Sequence, residues 1–512
     1  MQYVLGIDVG TSGIRAGLLA DDGTLVVKAF VNSQLCHTPE GWIEQDMNDM
    51  YDGTCAAIRQ CLGESGVIPS SIVAIAISGQ MAGIGAVDRT WNPIGRYDSW
   101  LDARCLDTLR GMRADQRDAM FRLTGCPPTY HHGAKILWWR EHVPSAYNAV
   151  AKFVVPAVYV AGRLGSLSSA DAFIDDTYLH FSGFADTAER CWSPQLVDIF
   201  EMDPTKLPRI VRPWQVVGEV TARGASDSGL ARGTPIVAGA GDTAMSFLGA
   251  GLVEPGMAVD VAGTASVLGI MSDRFTVDER HRTLMCSRSV FPDLYTYYAF
   301  IAGGGMAVSW FRQQFAPERT LADLDYLAGK IPNGALGLQF VPHLSGRVSP
   351  ANPYYRGAWV GLGWDHGIGS LFRAILESVA YEYQQYLSIV TEMVPTSIRE
   401  VRTVGGGARS ALWNQIKANV LGIPVQRMEE DQITVLGAAI VAGNAIGLFP
   451  DVQAATRAIV KTHGKAYEPE ASAYQAYRIH STRYRGLLAH LDQHFNEVNS
   501  SSEKTGSGVL QQ

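Results

Sequence analysis

A short run of glycine, threonine and serine near the start of the chain has the residue types that bind phosphate. Gly10-Thr11-Ser12 follows an apolar run at residues 3–7 that is typical of a strand. Glycine lets backbone N–H groups approach an anion closely, and the hydroxyls of Thr11 and Ser12 add donors. We therefore expect this loop to bind phosphate, although an ordinary hairpin turn has the same composition.

The same arrangement returns in the second half of the chain. The segment 8–12 (DVGTS) is echoed by 260–266 (DVAGTAS), where Gly263 and Thr264 form the turn. Two such loops that face each other can clamp one triphosphate. Asp8 lies beside the first loop, and we expect it to hold Mg²⁺ through water, because Mg²⁺ prefers few carboxylates and several waters. The alternative role of Asp8 is to cap the turn.

A further carboxylate stands where a predicted strand gives way to a predicted helix. The residues 236–238 are typical of a strand, Asp242 follows them, and a helix is predicted to begin near Thr243. Phosphoryl transfer to an alcohol needs positioning, charge neutralisation and a base that accepts the hydroxyl proton. Asp242 is the candidate for that base. Capping the helix is the alternative, since Asp is a favoured N-cap residue.

The same segment also contains a pattern of another class. Gly239-x-Gly241-x-x-Ala244 lies between a strand and a helix, and with Asp260 further on it resembles a dinucleotide-binding fingerprint. This keeps an NAD-dependent dehydrogenase as an alternative, but a dehydrogenase leaves the paired phosphate loops without a use. Neither a GxxxxGK[ST] motif nor a protein-kinase HRD and DFG set occurs in the sequence, so those two classes of nucleotide site are excluded.

Two segments offer groups that a polyhydroxylated ligand requires. Gln80 and Met81 follow a predicted strand, and Trp100, Asp102 and Arg104 lie together in WLDAR. They supply an amide, an aromatic face, a carboxylate and a guanidinium. Each also has a structural alternative, with Trp100 in a core and Asp102 paired with Arg104 on the surface.

Three successive glycines follow the predicted strand at residues 398–404. Gly405, Gly406 and Gly407 leave room for a flat ring such as adenine to lie on the backbone. Asn414, one turn into the following helix, can add a polar contact to a nucleotide. The alternative is a flexible connection.

The whole chain sets the frame in which these residues act. Its 512 residues exceed what one core usually organises, so we expect two domains of roughly 200–250 residues with a cleft between them. The net charge of −8 and the absence of a basic run argue against nucleic acid and favour a small-molecule partner. The seven cysteines are scattered without metal-ligand spacing, so we expect reduced thiols.

The two ends of the chain carry simple expectations. It starts in a strand without a leader pattern and contains no apolar stretch of about 18 residues, so we expect a cytoplasmic location and no membrane partner. The segment 497–512 is polar and contains glycine, and it is predicted to be a disordered tail.

The strands and glycine loops follow a repeated plan. The apolar run 72–77 leads into a glycine turn, as 398–404 does in the second half. Apolar residues at spacings of four predict core-facing helices around 371–379 and 412–420. We therefore expect two similar α/β lobes, residues 1–246 and 247–490, with the switch between them inside 216–256.

Taken together and in this order, the motifs resemble the FGGY family of carbohydrate kinases over roughly residues 3–490. The segments that carry the resemblance are GIDVGTSGIRAGL (6–18), GWIEQD (41–46), ISGQM (77–81), WLDAR (100–104), KILWW (135–139), GAGDTA (239–244), AGTAS (262–266), GAWVGL (357–362), GGGARSALWNQIKANVLGIPV (405–425) and GAAIVAG (437–443). Each motif is weak alone, and ten in register are strong.

The resemblance implies an α/β, actin-like (ribonuclease H-like) duplicated two-lobed ATPase fold, with ATP, Mg²⁺ and a small sugar or polyol between lobes that close like a hinge. It also allows a homodimer. The residues that match the family motifs are, for the phosphates of ATP, Gly10, Thr11, Ser12, Arg15, Gly263 and Thr264; for adenosine, Gly406, Gly407 and Asn414; for the sugar, Gln80, Met81, Trp100, Asp102, Arg104 and Asp242; and for catalysis, Asp242.

Within the family, the pattern is most similar to that of the members that convert D-xylulose to D-xylulose 5-phosphate. It departs from theirs at Ala82, where they generally have histidine, at Thr243, where they tend to have asparagine, and at Ser370, where an acidic, amide or histidine residue is preferred. Ribulose, another pentulose, gluconate, erythritol and glycerol therefore stay open as substrates. An actin-like ATP-dependent scaffold is the alternative that acts on no sugar.

Overall fold

The computed structural model describes the backbone of residues 1–505 and the side chains of residues 1–497. Two six-stranded mixed sheets dominate it, one in each half of the chain. Helices cover both sheets, and a set of short strands and helices is inserted between the second and third parallel strands of the first sheet.

The strands of the first half are β1 (Tyr3–Val9), β2 (Gly13–Ala20), β3 (Leu25–Asn32), β4 (Cys36–His37), β5 (Ile43–Gln45), β6 (Ile72–Gly79), β7 (Gly85–Val87), β8 (Tyr97–Asp98), β9 (Lys152–Val154), β10 (Phe173–Asp175), β11 (Ala185–Asp186), β12 (Cys191–Trp192), β13 (Arg209–Val211), β14 (Val216–Glu219) and β15 (Pro235–Val237). Its helices are α1 (Met47–Ser65), α2 (Leu106–Gly111), α3 (Ala114–Thr124), α4 (His132–His142), α5 (Pro144–Ala149), α6 (Pro156–Gly165), α7 (Pro194–Ile199), α8 (Ala222–Ser228) and α9 (Asp242–Gly249). Its 3₁₀ helices are Pro69–Ser71, Ser169–Asp171, Asp176–Phe181 and Pro204–Lys206.

The strands of the second half are β16 (Met257–Ala262), β17 (Ser266–Ser272), β18 (Met285–Arg288), β19 (Tyr295–Ile301), β20 (Gln339–Val341), β21 (Ala358–Val360), β22 (Glu400–Val404) and β23 (Val425–Arg427). Its helices are α10 (Gly304–Phe315), α11 (Leu321–Gly329), α12 (Ile368–Met393), α13 (Ala411–Leu421), α14 (Ile433–Ala445), α15 (Val452–Ile459) and α16 (Ala471–Thr505), and its 3₁₀ helices are Ala335–Gly337 and Gly407–Arg409.

The two main sheets share one plan. Their strand orders are β14-β15-β6-β1-β2-β3 and β18-β19-β17-β16-β22-β23. In the first sheet β1 pairs antiparallel with β2 and parallel with β6. In the second sheet β16 pairs antiparallel with β17 and parallel with β22. The two echoes in the sequence therefore occupy matching strands, with Asp8 in β1 and Asp260 in β16.

The two apolar stripes predicted from residues spaced four apart lie on helices α12 and α13. Ile375 and Val379 are fully buried on α12, and Ile416 and Val420 are buried on α13. A helix that repeats an apolar residue every turn presents one face to a core. The core of the second lobe lies along this face.

Helix α14 belongs to the second half of the chain but packs on the first sheet. A Cβ atom at Gly6 in β1 would lie 2.1 Å from the carbonyl oxygen of Val435 in α14. One at Gly437 would lie 2.2 Å from the carbonyl oxygen of Met245 in α9. No side chain fits at such separations, so β1, α14 and α9 meet backbone to backbone. The junction of the lobes is therefore built from both halves, and the predicted boundary at residue 246 falls within α9.

Helix α16 runs to Thr505 and so includes the first part of the segment predicted to be a disordered tail. Extending an existing helix is much easier than starting one, and the polar residues there add no helix breaker before that point. Residues 506–512 of the predicted tail lie outside the described residues. Across the part of the chain that the structure describes, no helix combines the length and the apolar character needed to cross a membrane.

The carboxylate of the second sheet is completely enclosed. Asp260 accepts hydrogen bonds from the hydroxyls of Tyr383 in α12, at 2.7 Å, and Thr403 in β22, at 2.8 Å. It also forms an ion pair with Lys417 of α13, and all four side chains are fully buried. A buried charge is tolerated only when it is paired and hydrogen-bonded. The cluster therefore fixes two helices on the second sheet.

Replacing Lys417 by methionine should strongly destabilise the second lobe. The change keeps the apolar stem but leaves Asp260 buried without its counter-charge, which typically costs about 3–5 kcal/mol in the free energy of unfolding. Chemical denaturation followed by circular dichroism measures the loss. The control is Lys28→Met, which breaks a half-exposed ion pair with Glu430 and should change stability by less than about 1 kcal/mol. Equal effects of the two changes would contradict the assignment.

Candidate active site

Parallel strands bring three separate segments to one edge of the first sheet. β15, β6 and β1 are parallel neighbours, so their carboxyl ends meet there. Gly79, at the end of β6, forms an isolated parallel bridge with Gly241, which follows β15. Open α/β sheets bind ligands at the carboxyl ends of their parallel strands. Asp8 of β1, the loop after Gly79 and Asp242 are thereby brought together.

A cavity of about 290 Å³ opens at this edge, and both lobes contribute to it. Its lining residues are Asp8, Gly10, Thr11, Ser12, Arg15, Asp242, Thr243, Ser246, Val261, Val267 and Thr434. The predicted first phosphate loop and the candidate base thus share one cavity. Gly263 and Thr264 do not line it, but Val261 and Val267 on either side of their turn do.

Burial raises the pKa of both carboxyl groups in the cavity. It raises the pKa of Asp8 to about 6, and the Arg15 guanidinium, whose Nη1 lies 3.6 Å from Asp8 Oδ2, opposes the rise. The pKa of Asp242 is raised to about 7, mainly by burial and also by the negative charge of Asp8, while the hydrogen bonds from Thr243 oppose the rise. Two buried carboxylates with partial compensation disfavour each other's ionised form. Asp242 is therefore poised to exchange a proton near neutral pH.

Asp242 is the first residue of α9, one position earlier than the predicted helix start. Gly241 takes the N-cap position. The Oδ1 atom of Asp242 accepts hydrogen bonds from the backbone N–H of Thr243, at 2.6 Å, and from its hydroxyl, at 3.2 Å. Both bonds fall on one carboxyl oxygen and hold the side chain in a single orientation.

Two residues predicted for the sugar contact the predicted first phosphate loop directly. The indole Nε1 of Trp100 donates to the Thr11 hydroxyl oxygen at 2.8 Å. The Thr11 hydroxyl in turn donates to Gln80 Oε1 at 3.2 Å, and Gln80 Nε2 donates to Gln45 Oε1 at 2.7 Å. Gln80 and Gln45 are fully buried. Thr11 is therefore the point where the two predicted binding regions meet.

Met81 lies against the backbone that precedes the candidate base. A Cβ atom at Gly241 would be 2.4 Å from the Met81 sulfur. Glycine at this position therefore allows the loop after β6 to pack directly on the start of α9.

Asp102 and Arg104 form a buried network rather than the surface pair that is the structural alternative. The Arg104 guanidinium donates to both Asp102 oxygens at 2.8 Å and to Glu44 Oε1 at 2.9 Å. Its Nη1 lies 3.3 Å from Asp98 Oδ1, and the group sits 4.3 Å above the ring of Trp42. Burial raises the pKa of Asp98 to about 7, against the opposing charge of Arg104. The network ties the WLDAR segment to the strand that contains Glu44.

The predicted adenosine residues lie at the end of β22. A Cβ atom at Gly406 would meet no other atom within 4 Å, so its surface is open, whereas one at Gly407 would lie 2.7 Å from the Trp413 ring. Asn414 is fully buried and its Nδ2 donates to the Ala408 carbonyl at 2.8 Å. Gly263 is approached by α10, because a Cβ atom at Gly305 would lie 2.0 Å from its carbonyl oxygen. These residues lie in the second lobe and do not line the cavity of Asp242.

Two hydroxyl residues of the cavity, Ser246 and Thr434, are not among the residues predicted from the sequence. The hydroxyls of Ser246 in α9 and Thr434 in α14 are hydrogen-bonded at 2.7 Å and so join the two lobes. Ser246 lies one helical turn after Asp242, a spacing that places both on one face of α9. That spacing was a usable signal for Ser246. Thr434 comes from a distant segment and offered none.

The chain matches two models of one family along most of its length. The model for the N-terminal domain of the FGGY family of carbohydrate kinases matches residues 3–249, and that for the C-terminal domain matches residues 258–446. The xylulose kinase of Staphylococcus epidermidis is 26% identical over 494 residues, which cover 95% of this chain and 96% of the relative. The autoinducer-2 kinase of Yersinia enterocolitica is 26% identical over 509 residues, which cover 95% and 94%.

A solved structure agrees with the observed architecture. The crystal structure of xylulose kinase from Rhodospirillum rubrum superposes with a TM-score of 0.89 at 27% identity, covering 97% of this chain and all of that one. Agreement over both lobes means that the similarity includes the whole duplicated arrangement.

Replacing Asp242 by asparagine should stabilise the protein in a pH-dependent way. The folded pKa of about 7 exceeds the ordinary value of 3.8, so the folded state holds a proton that the unfolded state releases. The parent therefore loses stability as pH rises from about 4 to about 7, and the variant lacks this loss. The difference in thermal midpoint, variant minus parent, should grow over that range and level off above it.

Differential scanning fluorimetry from pH 4 to 9 measures this difference. The control is Asp52→Asn, which changes an exposed residue of α1. The thermal midpoint of this variant should follow that of the parent in parallel across the pH range. A difference for Asp242→Asn that stays flat or falls with pH would contradict the raised pKa.

Proposed function

Because this chain belongs to the FGGY family of carbohydrate kinases, we propose that it transfers the γ-phosphoryl group of ATP to a hydroxyl of D-xylulose, with Asp242 as general base. The family and the actin-like two-lobed fold that the sequence predicts are both confirmed, and the chain is a sugar phosphotransferase. Membership also removes the dehydrogenase and the scaffold as alternatives. The substrate and the base are the parts that we propose.

The observation that carries the proposal is the shared cavity of the first phosphate loop and Asp242. A base must lie close to the group that the sugar hydroxyl attacks, and the sheet edge supplies that proximity. A pKa of about 7 also suits a base at neutral pH, because the carboxylate is then partly ionised and still basic enough to take a proton.

In the proposed reaction, the oxygen of a sugar hydroxyl forms a bond to the γ-phosphorus of ATP. The bond between that phosphorus and the oxygen it shares with the β-phosphate breaks, and ADP leaves. The hydroxyl proton passes to Asp242. We propose that Gly10, Thr11, Ser12 and Arg15 hold the transferred group, and that the second loop at Gly263 and Thr264 holds the remaining phosphates. Closure of the lobes excludes water, which would otherwise compete with the sugar.

The chemistry of Asp8 fits a bound Mg²⁺. Its Oδ1 atom is buried and has no hydrogen-bond partner among the described residues, and the residue lines the cavity. Such an oxygen suits a hard cation or its water shell. No group of three or more His, Cys, Asp or Glu side chains that could hold a metal ion occurs in the described part of the chain, so phosphates and water would supply the other ligands. The ion neutralises phosphate charge when bound.

Gln80, Met81, Trp100, Asp102 and Arg104 are the residues that we propose for the sugar. The contacts of Gln80 and Trp100 with Thr11 support this role, because a sugar bound to these side chains would lie beside the proposed phosphate loop. Asp102 and Arg104 would act as the rigid wall of the pocket. Gly406, Gly407 and Asn414 are proposed for adenosine, for which the open surface at Gly406 is the support.

D-xylulose is favoured because relatives matched over nearly the whole chain are named xylulose kinases. Ala82 and Thr243 depart from the usual pattern of those enzymes, and Thr243 lines the cavity. A relative named for autoinducer-2 shows that the family includes other substrates. Ribulose, another pentulose, gluconate, erythritol and glycerol are therefore the alternatives.

A substrate panel tests the proposal. The purified full chain is incubated with Mg-ATP and each of D-xylulose, D-ribulose, erythritol, glycerol and gluconate, and ADP release is measured. We expect saturable release that is fastest with D-xylulose. Faster release with another member would replace the substrate, and no release above the no-sugar control with any member would overturn the proposal.

Asp242→Asn should reduce turnover by roughly two to four orders of magnitude, the usual contribution of a general base, with ATP binding retained. Steady-state ADP release and ATP titration calorimetry measure the two quantities. The matched control is Asp278→Asn, which alters a buried carboxylate of the second lobe that accepts N–H groups of Thr283 and Leu284 and lines no part of the cavity. Turnover of Asp242→Asn within a few-fold of the parent would remove the base role.

A further inference from the structure

A buried 3₁₀ helix stands directly behind the two loops that meet at Gly79 and Gly241. It spans Asp176–Phe181, and every residue in it is buried. Asp175 caps it, accepting the N–H of Thr177 at 3.0 Å. The proposed function uses none of these residues, yet four of them hold other parts of the molecule.

Thr177 holds the backbone that precedes Asp242. Its hydroxyl oxygen accepts the Gly241 N–H at 3.0 Å, and its hydroxyl proton is donated to Asp175 Oδ1. Asp175 therefore fixes the direction of the hydroxyl so that a lone pair faces Gly241. Since Gly241 is the N-cap position of α9, this contact sets where the helix begins and how the next residue enters the cavity.

Tyr178 holds the other loop. Its hydroxyl donates to the Gly79 carbonyl oxygen at 2.7 Å, immediately before Gln80. Gly79 and Gly241 are themselves joined as a parallel bridge. One short helix therefore fixes both loops in a common register.

The same helix also reaches the second lobe. A hydrogen bond joins His180 Nε2 to the hydroxyl of Tyr298 in β19. Asp176 lies 3.3 Å from a guanidinium nitrogen of Arg212 and 3.8 Å from one of Arg190. The helix is thus held from several sides, so the position of Thr177 is fixed.

We propose that Thr177 is a positioning residue, which sets the orientation of Asp242 by anchoring the Gly241 N–H. The inference rests on the proposed role of Asp242 as base. Thr177 does not line the cavity that contains Asp242, so it would act through the backbone. A shift of about 1 Å in a reacting group can lower a rate by about a hundred-fold, so a single anchor of this kind has a measurable effect.

Thr177→Val removes the hydroxyl while keeping the shape of the side chain. We expect kcat to fall about ten- to hundred-fold with KM for the sugar and for ATP changed by less than about three-fold. Thr177→Ser keeps the hydroxyl and should restore kcat to within a few-fold of the parent. The readout is ADP release with Mg-ATP and D-xylulose, or the panel member that the parent uses fastest.

The matched control is Thr54→Val, which deletes the hydroxyl of another fully buried threonine of the first lobe, bonded to the Met50 carbonyl within α1. It should lower the thermal midpoint without changing kcat. A fall of kcat in Thr54→Val as large as that in Thr177→Val would mean that loss of packing, and not positioning, explains the effect.

Hydrogen–deuterium exchange gives a readout independent of turnover. Loss of the acceptor should speed exchange of the Gly241 amide in Thr177→Val, while Thr177→Ser should protect it as the parent does. Protection at Gly241 that is unchanged in a folded Thr177→Val would overturn the proposal. If Thr177→Val does not fold, the same comparison is made with Asp175→Asn, which weakens the orientation of the hydroxyl.

A double-mutant cycle separates this inference from the proposed function. If Thr177 acts through Asp242, adding Thr177→Val to Asp242→Asn should cause no further loss of kcat. If the double variant instead loses kcat by the product of the two single losses, the positioning role of Thr177 would be overturned, while the role of Asp242 as base would stand. Turnover of Asp242→Asn at the parent rate would instead overturn the base, and the positioning inference with it.

Discussion

The burial of two carboxylates at one edge of the first sheet is the constraint on which the site depends. Asp8 and Asp242 are removed from water, and a carboxylate in that position is costly unless charge or hydrogen bonds replace the lost solvation. Arg15 beside Asp8 and the Thr243 N–H beside Asp242 supply part of this replacement, and the pKa of each carboxyl stays raised. The fold holds this arrangement because β1, β6, α9 and α14 are fixed backbone to backbone around it. The backbone around the cavity is therefore rigid, while the charges of its two carboxylates are only partly compensated by the protein. A bound ligand can supply the rest of the compensation.

In the second lobe, the matching buried carboxylate is compensated by protein groups alone. Asp260 occupies the strand position that matches Asp8, but Lys417, Tyr383 and Thr403 compensate it fully inside the core. Because all its partners come from the protein, this carboxylate has no need of a ligand and serves to hold helices on the second sheet. The two copies of one motif thus differ in role: Asp8 lines the cavity, and Asp260 stabilises the core of the second lobe. The surroundings of the carboxylate, and not the motif, decide which copy faces the cavity.

Asp242, the loop after β6 and the second lobe are connected through buried polar contacts rather than through apolar packing alone. Trp100 and Gln80 are joined to the Gly10–Ser12 loop through Thr11, and the 3₁₀ helix at Asp176–Phe181 joins Gly241 and Gly79 to β19. Hydrogen bonds fix direction as well as distance, so such contacts define angles that apolar packing leaves free. This geometry suits phosphoryl transfer, in which positioning and charge stabilisation provide most of the catalysis.

Patterns among consecutive residues were enough to predict the family, the two α/β lobes, their hairpins, the core stripes of α12 and α13, and the position of Asp242 between a strand and a helix. Each of these follows from local patterns, because strand and helix periods and glycine turns are properties of consecutive residues. The folded chain was needed to show that α14 packs on the first sheet and that Asp102 and Arg104 are buried with Glu44 and Asp98. It also shows that Ser246, Thr434 and Thr177 approach the site. These contacts join segments far apart along the chain. A local pattern shows which face of an element is apolar, but the partner that covers this face is set by how the whole chain folds.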